Sequence, residues 1–296
     1  MPSAVGRLTQ NGLLHPPKWL PANIHYETMM GSVAYGVSSD TSDMDVYGFA
    51  IPPKELVFPH LAGHIDGFGR QKLSYEQYQQ HHVLEPDSGK EWDFSIYSIV
   101  KYFQLCMENN PNMIDSLFTP RRCVLYSTEI GEMVRDRRKM FLHKGAWHKF
   151  KGYAYSQFHK IGKANKSNPK RAESIEKYGY DVKFAYHVVR LISEVEQIMV
   201  EHDLDITRNR EQLKAIRRGE WTLDYLKTWF EEKEKALETV YAESTLQHSP
   251  DEEPIKQLLM DCLEHHYGDL SSAVARDASI SQVISEMKLV IDRYDH

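Results

Sequence analysis

Two aspartates separated by one residue stand at the start of a predicted strand. The segment 43–51 begins with Asp43-Met44-Asp45 and continues with alternating apolar residues until two prolines end it, a pattern typical of a β-strand. Residues two apart in a strand point to the same face, so the pattern predicts two carboxylates side by side. Such like charges repel each other, and a divalent cation that prefers oxygen ligands, Mg²⁺ or Mn²⁺, removes the conflict.

A Gly-Ser turn precedes the aspartates. Residues 23–30, NIHYETMM, predict a strand that ends at Gly31-Ser32. Gly31 allows the backbone to approach a ligand closely, and Ser32 offers a hydroxyl and an N–H, an arrangement that can cradle a phosphate. The chain lacks the P-loop and G-x-G-x-x-G motifs, so the sequence indicates neither a P-loop enzyme nor a dinucleotide-binding fold.

The stretch GSVAYGVSSDTSDMDVYGF resembles the Gly-Ser and Asp-x-Asp signature of the DNA polymerase β-like nucleotidyltransferase superfamily. The segments DFSIYSIVKYFQLCMENNPNMIDSLF and YHVVRLISEVEQIM are similar to predicted nucleotidyltransferases of bacteria and phages. The resemblance implies transfer of NMP from an NTP to a hydroxyl acceptor with release of pyrophosphate. It also implies a mixed sheet with three acidic ligands and two Mg²⁺ (or Mn²⁺) ions. Asp43 and Asp45 would then be catalytic metal ligands, and Gly31 and Ser32 would bind the triphosphate.

A third carboxylate is expected from a neighbouring strand. Asp93 lies in EWDFSIY, a predicted strand in which apolar residues alternate with it. Glu91 lies on the same strand face and is the alternative to Asp93 as catalytic metal ligand. The adjacent His81 and His82 are expected to be solvated, because neighbouring side chains diverge on most backbones.

The composition indicates a folded, soluble protein. The 296 residues are 41% hydrophobic with a formal charge of −6, which excludes a disordered chain. Three widely spaced cysteines argue against a disulfide framework and a cysteine-bound zinc. No signal-peptide or membrane-spanning run is evident, so we expect a cytoplasmic protein without membrane contact.

One basic tract stands out. Residues 135–177 contain 13 Lys and Arg against 3 acidic residues, a local charge of +10 that leaves −16 for the rest of the chain. Together with Tyr153 and Tyr155, these cations favour an RNA or tRNA end as the acceptor, although a triphosphate suits them equally. A protein side chain (AMPylation), a small-molecule acceptor and a non-catalytic nucleotide-binding module stay open, as do the choice of NTP and the oligomeric state.

The predicted fold is α+β. Residues 1–125 are expected to form a nucleotidyltransferase domain with a small mixed sheet and flanking helices, and residues 126–296 a mostly helical domain that completes the active-site cleft. Long helices are predicted over 180–202, 222–244 and 252–268 from their apolar spacing. His187 and Arg190 share a face of the first of these helices and are expected to pack structurally. Residues 60–90 give no clear pattern.

Overall fold

The computed structural model describes residues 2–39, 42–57, 75–161 and 169–268, together with residue 287. The described chain is α+β, with a five-stranded mixed sheet in the order β3-β4-β2-β1-β5. Its strands are β1 (Ile24–Met29), β2 (Met44–Ala50), β3 (Gln77–Glu85), β4 (Lys90–Ser98) and β5 (Val124–Ser127). β2 and β4 run parallel, and the other neighbouring strands are antiparallel. The predicted fold class is therefore confirmed.

Helices surround the sheet and make up most of the second half. Those of the first half are α1 (Ala4–Gln10), α2 (Gly31–Ala34), α3 (Lys54–Val57), α4 (Ile99–Met107) and α5 (Pro111–Phe118). The later ones are α6 (Glu129–Asp136), α7 (Gly145–Phe158), α8 (Pro169–Tyr178), α9 (Val182–Glu201), α10 (Arg210–Arg217), α11 (Leu223–Glu243) and α12 (Glu252–Tyr267). Short 3₁₀ turns cover Leu20–Asn23, Arg121–Cys123 and Arg138–Phe141.

The predicted strands around the Gly-Ser turn are β1 and β2. Every residue of β1 is buried, because this strand lies inside the sheet between β2 and β5. β4 leads directly into α4, where the Ser98 hydroxyl accepts the Lys101 N–H and caps the helix. The unplaced region contains β3, while residues 58–74 lie outside the described residues.

α9 is the central helix of the second half. It packs against α7, α8, α10 and α11, and most of its residues are buried. The Asp181 side chain accepts the N–H groups of Lys183 and Phe184 and so fixes where the helix begins. The three long helices predicted from the sequence correspond to α9, α11 and α12, and residues 269–286 and 288–296 lie outside the described part.

A buried ion cluster connects α9 to the front of the molecule. Arg190 of α9 contacts Asp115 of α5 and Glu194 of its own helix, and Tyr35 donates its hydroxyl to Asp115 at 2.7 Å. One hydrophobic core runs through both halves. The predicted domain boundary near residue 125 falls within β5 and stays a prediction. Among the described helices, none is long and apolar enough to cross a membrane.

Candidate active site

A cleft of about 750 Å³ opens between the sheet and helices α8, α9 and α10. One side is formed by the turn after β1, the start of β2 and the carboxylates near β3 and β4. The other side comes from the helical half. The residues that line it are Gly31, Ser32, Ser39, Ser42, Asp43, Asp45, His82, Glu91, Arg171, Ser174, Asp181, Val182, Lys183, Tyr186, His187 and Arg217.

Asp45 and Asp93 are neighbours because β2 and β4 are parallel and in register at these two residues. The pKa of Asp45 is raised from 3.8 to about 6, mainly by burial and then by the negative charges of Asp93 and Asp43, which Lys183 partly offsets. Asp43 precedes β2 and is exposed. The three sequence-predicted aspartates therefore interact electrostatically, although Asp93 itself does not line the cleft.

The turn between β1 and α2 lies directly against Asp45. The Met30 N–H donates to the backbone oxygen of Asp45 at 2.7 Å. Gly31 has a φ of +60°, and a Cβ at this position would lie 2.0 Å from the Asp45 carboxylate. Glycine is therefore required here both by backbone conformation and by space. Ser32 follows within the same turn and also lines the cleft.

A bulge in β3 brings histidine to the β4 carboxylates. The register of β3 against β4 shifts between Gln80 and Val83, and His82 adopts a φ of 57°. Its N–H donates to Asp93 Oδ1 at 2.7 Å, and its Nδ1 bonds to Glu91. His82 is exposed, as expected, but it is not merely solvated. The sequence contained no signal for the bulge beyond the His-His pair itself.

The wall opposite the carboxylates is cationic. Arg171 lies 3.6 Å from Asp181, Lys183 is exposed at the start of α9, and Arg217 donates to the backbone oxygen of Val37 at 2.6 Å. Sequence reasoning missed Lys183 and Arg217 as site residues, because they come from helices whose position against the sheet is not encoded in any local motif.

His187 and Arg190 have separate environments. Arg190 belongs to the buried ion cluster, which confirms the structural role predicted for it. His187 instead lines the cleft, and its Nδ1 is buried without a hydrogen-bond partner among the described residues. Burial, followed by the charge of Arg190, holds the pKa of His187 well below its ordinary value. The imidazole is therefore neutral at physiological pH.

The basic tract, residues 135–177, offers fewer cations for binding a ligand than its charge indicates. Residues 162–168, with Lys163 and Lys166, lie outside the described residues, and the side chain of Lys170 is likewise not described. Of the remaining cations, five form ion pairs with carboxylates: Arg137, Lys139, Lys149, Lys151 and Arg171. Arg135 and Lys144 are buried. Much of the +10 charge is therefore neutralised or enclosed by the fold.

Comparison with known protein families gives a match over most of the chain. The model of the RNA repair pathway DNA polymerase beta family, RlaP, matches residues 10–261. The chain belongs to this family. It is accordingly a nucleotidyltransferase of the polymerase β type. The resemblance seen in the sequence is confirmed.

A search of solved structures found a nucleotidyltransferase-like protein from Exiguobacterium sibiricum 255-15. It is 8% identical, with 81% of this chain and 73% of that chain covered and a TM-score of 0.29. Among curated proteins, none matches this chain.

The carboxylates suit a divalent cation by their chemistry. Asp43, Asp45 and Asp93 supply oxygen donors. Burial, and then the charge of Asp93, raise the pKa of Asp45, and a bound cation would stabilise its ionised form. In the described part of the chain, ligand atoms of His82, Glu91 and Asp93 also lie within 4.8 Å of one another. The residues present therefore fit a metal ion at this end of the cleft.

Proposed function

We propose that this protein transfers NMP from an NTP to a hydroxyl at an RNA end, with release of pyrophosphate. The observation that carries the proposal is the pair Asp45 and Asp93 on parallel strands, next to the Gly31-Ser32 turn and across a cleft from Lys183 and Arg217. The carboxylates on one wall suit the positive metal ions, and the cations on the other wall suit the negative phosphates of the nucleotide.

Asp43, Asp45 and Asp93 are proposed to hold two divalent ions, Mg²⁺ or Mn²⁺. When bound, such ions stabilise the attacking and leaving oxygens in an in-line displacement. Asp45 is proposed as the ligand between Asp43, which lies just before β2, and Asp93 on the neighbouring strand β4. Its partly buried carboxylate lies close to Gly31, at a position that a Cβ on residue 31 would not permit.

The triphosphate is proposed to lie along the turn after β1. Gly31 and Ser32 line the cleft on the side of the sheet, and Lys183 and Arg217 line it from the helical half. The N–H groups of Gly31 and Ser32 and the Ser32 hydroxyl are the proposed donors to phosphate. Lysine and arginine bind phosphate oxygens through charge-assisted hydrogen bonds. Arg217 of α10 donates to the backbone oxygen of Val37, in the loop that follows α2. This hydrogen bond orients the Arg217 side chain and connects α10 to that loop.

An RNA acceptor is supported by the family to which the chain belongs, whose description places it in an RNA repair pathway. The basic tract gives weaker support than its sequence charge indicated, because half of its described side chains form ion pairs within the fold. An RNA contact would therefore use exposed cations such as Lys160 and Lys177. A protein side chain or a small molecule as acceptor is a competing outcome of the test below.

The test is transfer of label from each of four α-³²P NTPs, with Mg²⁺ or Mn²⁺, to total cellular RNA and protein. We expect label in the RNA fraction and its loss after RNase treatment. Label in protein or in a small molecule would overturn the RNA acceptor while leaving the transfer chemistry standing. Raising the salt concentration should weaken RNA binding steeply if phosphate contacts dominate.

Two variants connect the result to the site. Asp43→Asn is expected to abolish transfer and leave the fold intact, because removal of a negative charge from a repulsive cluster does not destabilise the metal-free protein. Asp87→Asn, the same change at an exposed position in the turn between β3 and β4, should retain wild-type transfer. Full activity in Asp43→Asn would contradict the proposed site.

A further inference from the structure

His82 lines the cleft, and the proposed chemistry does not use it. Its side chain is 82% exposed, yet its backbone and ring are both engaged with the carboxylates of β4. A regular strand would alternate His81 and His82 to opposite faces. The bulge in β3 changes this alternation, and bulges occur frequently beside active sites, where they redirect a side chain.

The bulge places an imidazole next to two carboxylates. One ligand atom each from His82, Glu91 and Asp93 lies within 4.8 Å of the others, a separation that a single ion can bridge. His82 and Glu91 both line the cleft that contains Asp45. Asp93 is in turn the register partner of Asp45. The imidazole therefore adjoins the carboxylates already proposed as metal ligands rather than forming a separate surface cluster.

The contact with Glu91 supports a ligand role for the ring. A ring nitrogen that already faces a carboxylate is placed to share an ion with it. The Nδ1 of His82 bonds to Glu91, and the backbone of His82 is fixed by its N–H bond to Asp93 at 2.7 Å. Both contacts hold the ring at the carboxylates.

A nitrogen ligand changes which ion is preferred. Mg²⁺ is bound almost entirely by oxygen, whereas imidazole suits first-row transition ions. We infer that His82 contributes a ring nitrogen to the metal site at Asp93, so that this position takes a transition ion such as Mn²⁺ in preference to Mg²⁺. The inference rests on the proposed function, in which Asp45 and Asp93 are metal ligands.

The experiment is pulsed electron paramagnetic resonance of the full chain loaded with Mn²⁺ alone. We expect ¹⁴N modulation from a coordinated imidazole in the wild type, and its replacement when the histidines are labelled with ¹⁵N. The modulation should disappear in His82→Asn and persist in His159→Asn, an exposed histidine of the C-terminal end of α7. Asparagine is chosen because it tolerates the left-handed backbone of His82 better than most residues.

His81 provides the closest control, because its Nδ1 lies 3.6 Å from Asp93. Modulation that is lost in His81→Asn and kept in His82→Asn would overturn the assignment to His82. The Mn²⁺ affinity should fall at least about tenfold in His82→Asn, the lower bound for residues that support a metal site, while Mg²⁺ affinity stays unchanged.

Failure of this inference is distinguishable from failure of the proposed function. Mn²⁺ binding that requires Asp45 but shows no nitrogen modulation would overturn the role of His82 and leave the carboxylate site intact. Absence of any Asp45-dependent Mn²⁺ binding would overturn both. The ¹⁵N labelling tests the nitrogen ligand in the unmodified protein, so the result does not depend on the folding of a variant.

Discussion

Asp45 of β2 lies directly across from Asp93 of β4, in the one parallel strand pair of the described sheet. Parallel register brings residues at equivalent positions on both strands to the same end of the sheet. The two carboxylates therefore meet at the end where β2 begins and where the turn after β1 passes. The fold maintains this repulsive arrangement, which is expected of a site shaped for a cation.

The repulsion predicts that Asp45→Asn stabilises the metal-free protein at neutral pH. The pKa of Asp45 is raised from 3.8 to about 6 by burial and by Asp93. The protonated carboxyl of Asp45 therefore favours the folded state below pH 4, and this contribution is lost as the pH rises to 6. At pH 8 the ionised Asp45 carboxylate lowers the free energy of unfolding by about 3 kcal/mol, and Asp45→Asn removes this cost. Urea unfolding with EDTA at pH 8 and pH 4 measures it, and the gain should vanish at pH 4.

Asp87→Asn is the control for this measurement, since Asp87 is exposed in the turn between β3 and β4 and should change the free energy of unfolding little at either pH. Equal free energies of unfolding for Asp45→Asn and the wild type at pH 8 would show that the ionised Asp45 carboxylate does not destabilise the metal-free fold. Added Mg²⁺ or Mn²⁺ should stabilise the wild type and not the Asp45→Asn variant.

The close approach of Gly31 to Asp45 predicts a large effect of Gly31→Ala on transfer. A Cβ would lie 2.0 Å from the carboxylate, so Asp45 must move from its position. Gly89 has a φ of +65° with no atom within 4 Å of a Cβ, which makes Gly89→Ala the matched control. Both variants incur the left-handed backbone cost of about 1–2 kcal/mol, and only Gly31→Ala should lose activity. Equal activities would show that the contact is dispensable.

The buried ion cluster predicts a strong dependence of folding on Arg190. The side chain is 2% exposed, and Asp115 and Glu194 beside it are 0% and 3% exposed. Arg190→Met leaves two buried carboxylates without their cation, which should cost about 3–5 kcal/mol of unfolding free energy. Arg208→Met removes the exposed pair with Glu201 and should cost about 0–1 kcal/mol. Denaturant titration compares the two, and similar losses would contradict the role of the cluster.

The cationic wall predicts a change in the KM for NTP. Lys183→Gln removes an exposed cation at the cleft and should raise KM about tenfold or more, since a hydrogen bond to a charged group contributes about 1.5–3 kcal/mol. Lys227→Gln, on the exposed side of α11, is the control and should leave KM unchanged. Steady-state kinetics distinguish this from a catalytic defect, which would appear in kcat. An unaltered KM in Lys183→Gln would remove that lysine from the site.

Three of the five strands, and the proximity of Asp45 to a carboxylate on a neighbouring strand, were predictable from local patterns. A short apolar run ending at Gly31 predicted β1, and alternation predicted β2 and β4. The shared face predicted for Asp43 and Asp45 stays a prediction, because Asp43 lies just before β2. Asp93 was selected because it alternates with apolar residues in its strand, and the structure places it across from Asp45. Its role as the third metal ligand, ahead of Glu91, stays a prediction.

Pairings distant in the sequence were not predictable in the same way. The cations of the basic tract were expected to be available to bind RNA, because the carboxylates that pair with them are distant in the sequence: Lys139 pairs with Asp203 and Lys151 with Glu234. His82 was expected to be solvated because adjacent side chains diverge on most backbones. The bulge that brings it to the carboxylates depends on how two strands are matched, which no local pattern shows. Lys183 and Arg217 reach the cleft only through the packing of α9 and α10, which tertiary structure determines.

The central claim is that the α-phosphate of an NTP is transferred at the paired aspartates. The most direct measurement follows α-³²P and γ-³²P NTP in parallel reactions with RNA, using the wild type, Asp45→Asn and Asp87→Asn. The account predicts that α-label enters RNA and γ-label leaves as pyrophosphate in the wild type and in Asp87→Asn, and that neither occurs in Asp45→Asn. Transfer of the γ-label, or full transfer by Asp45→Asn, would contradict it.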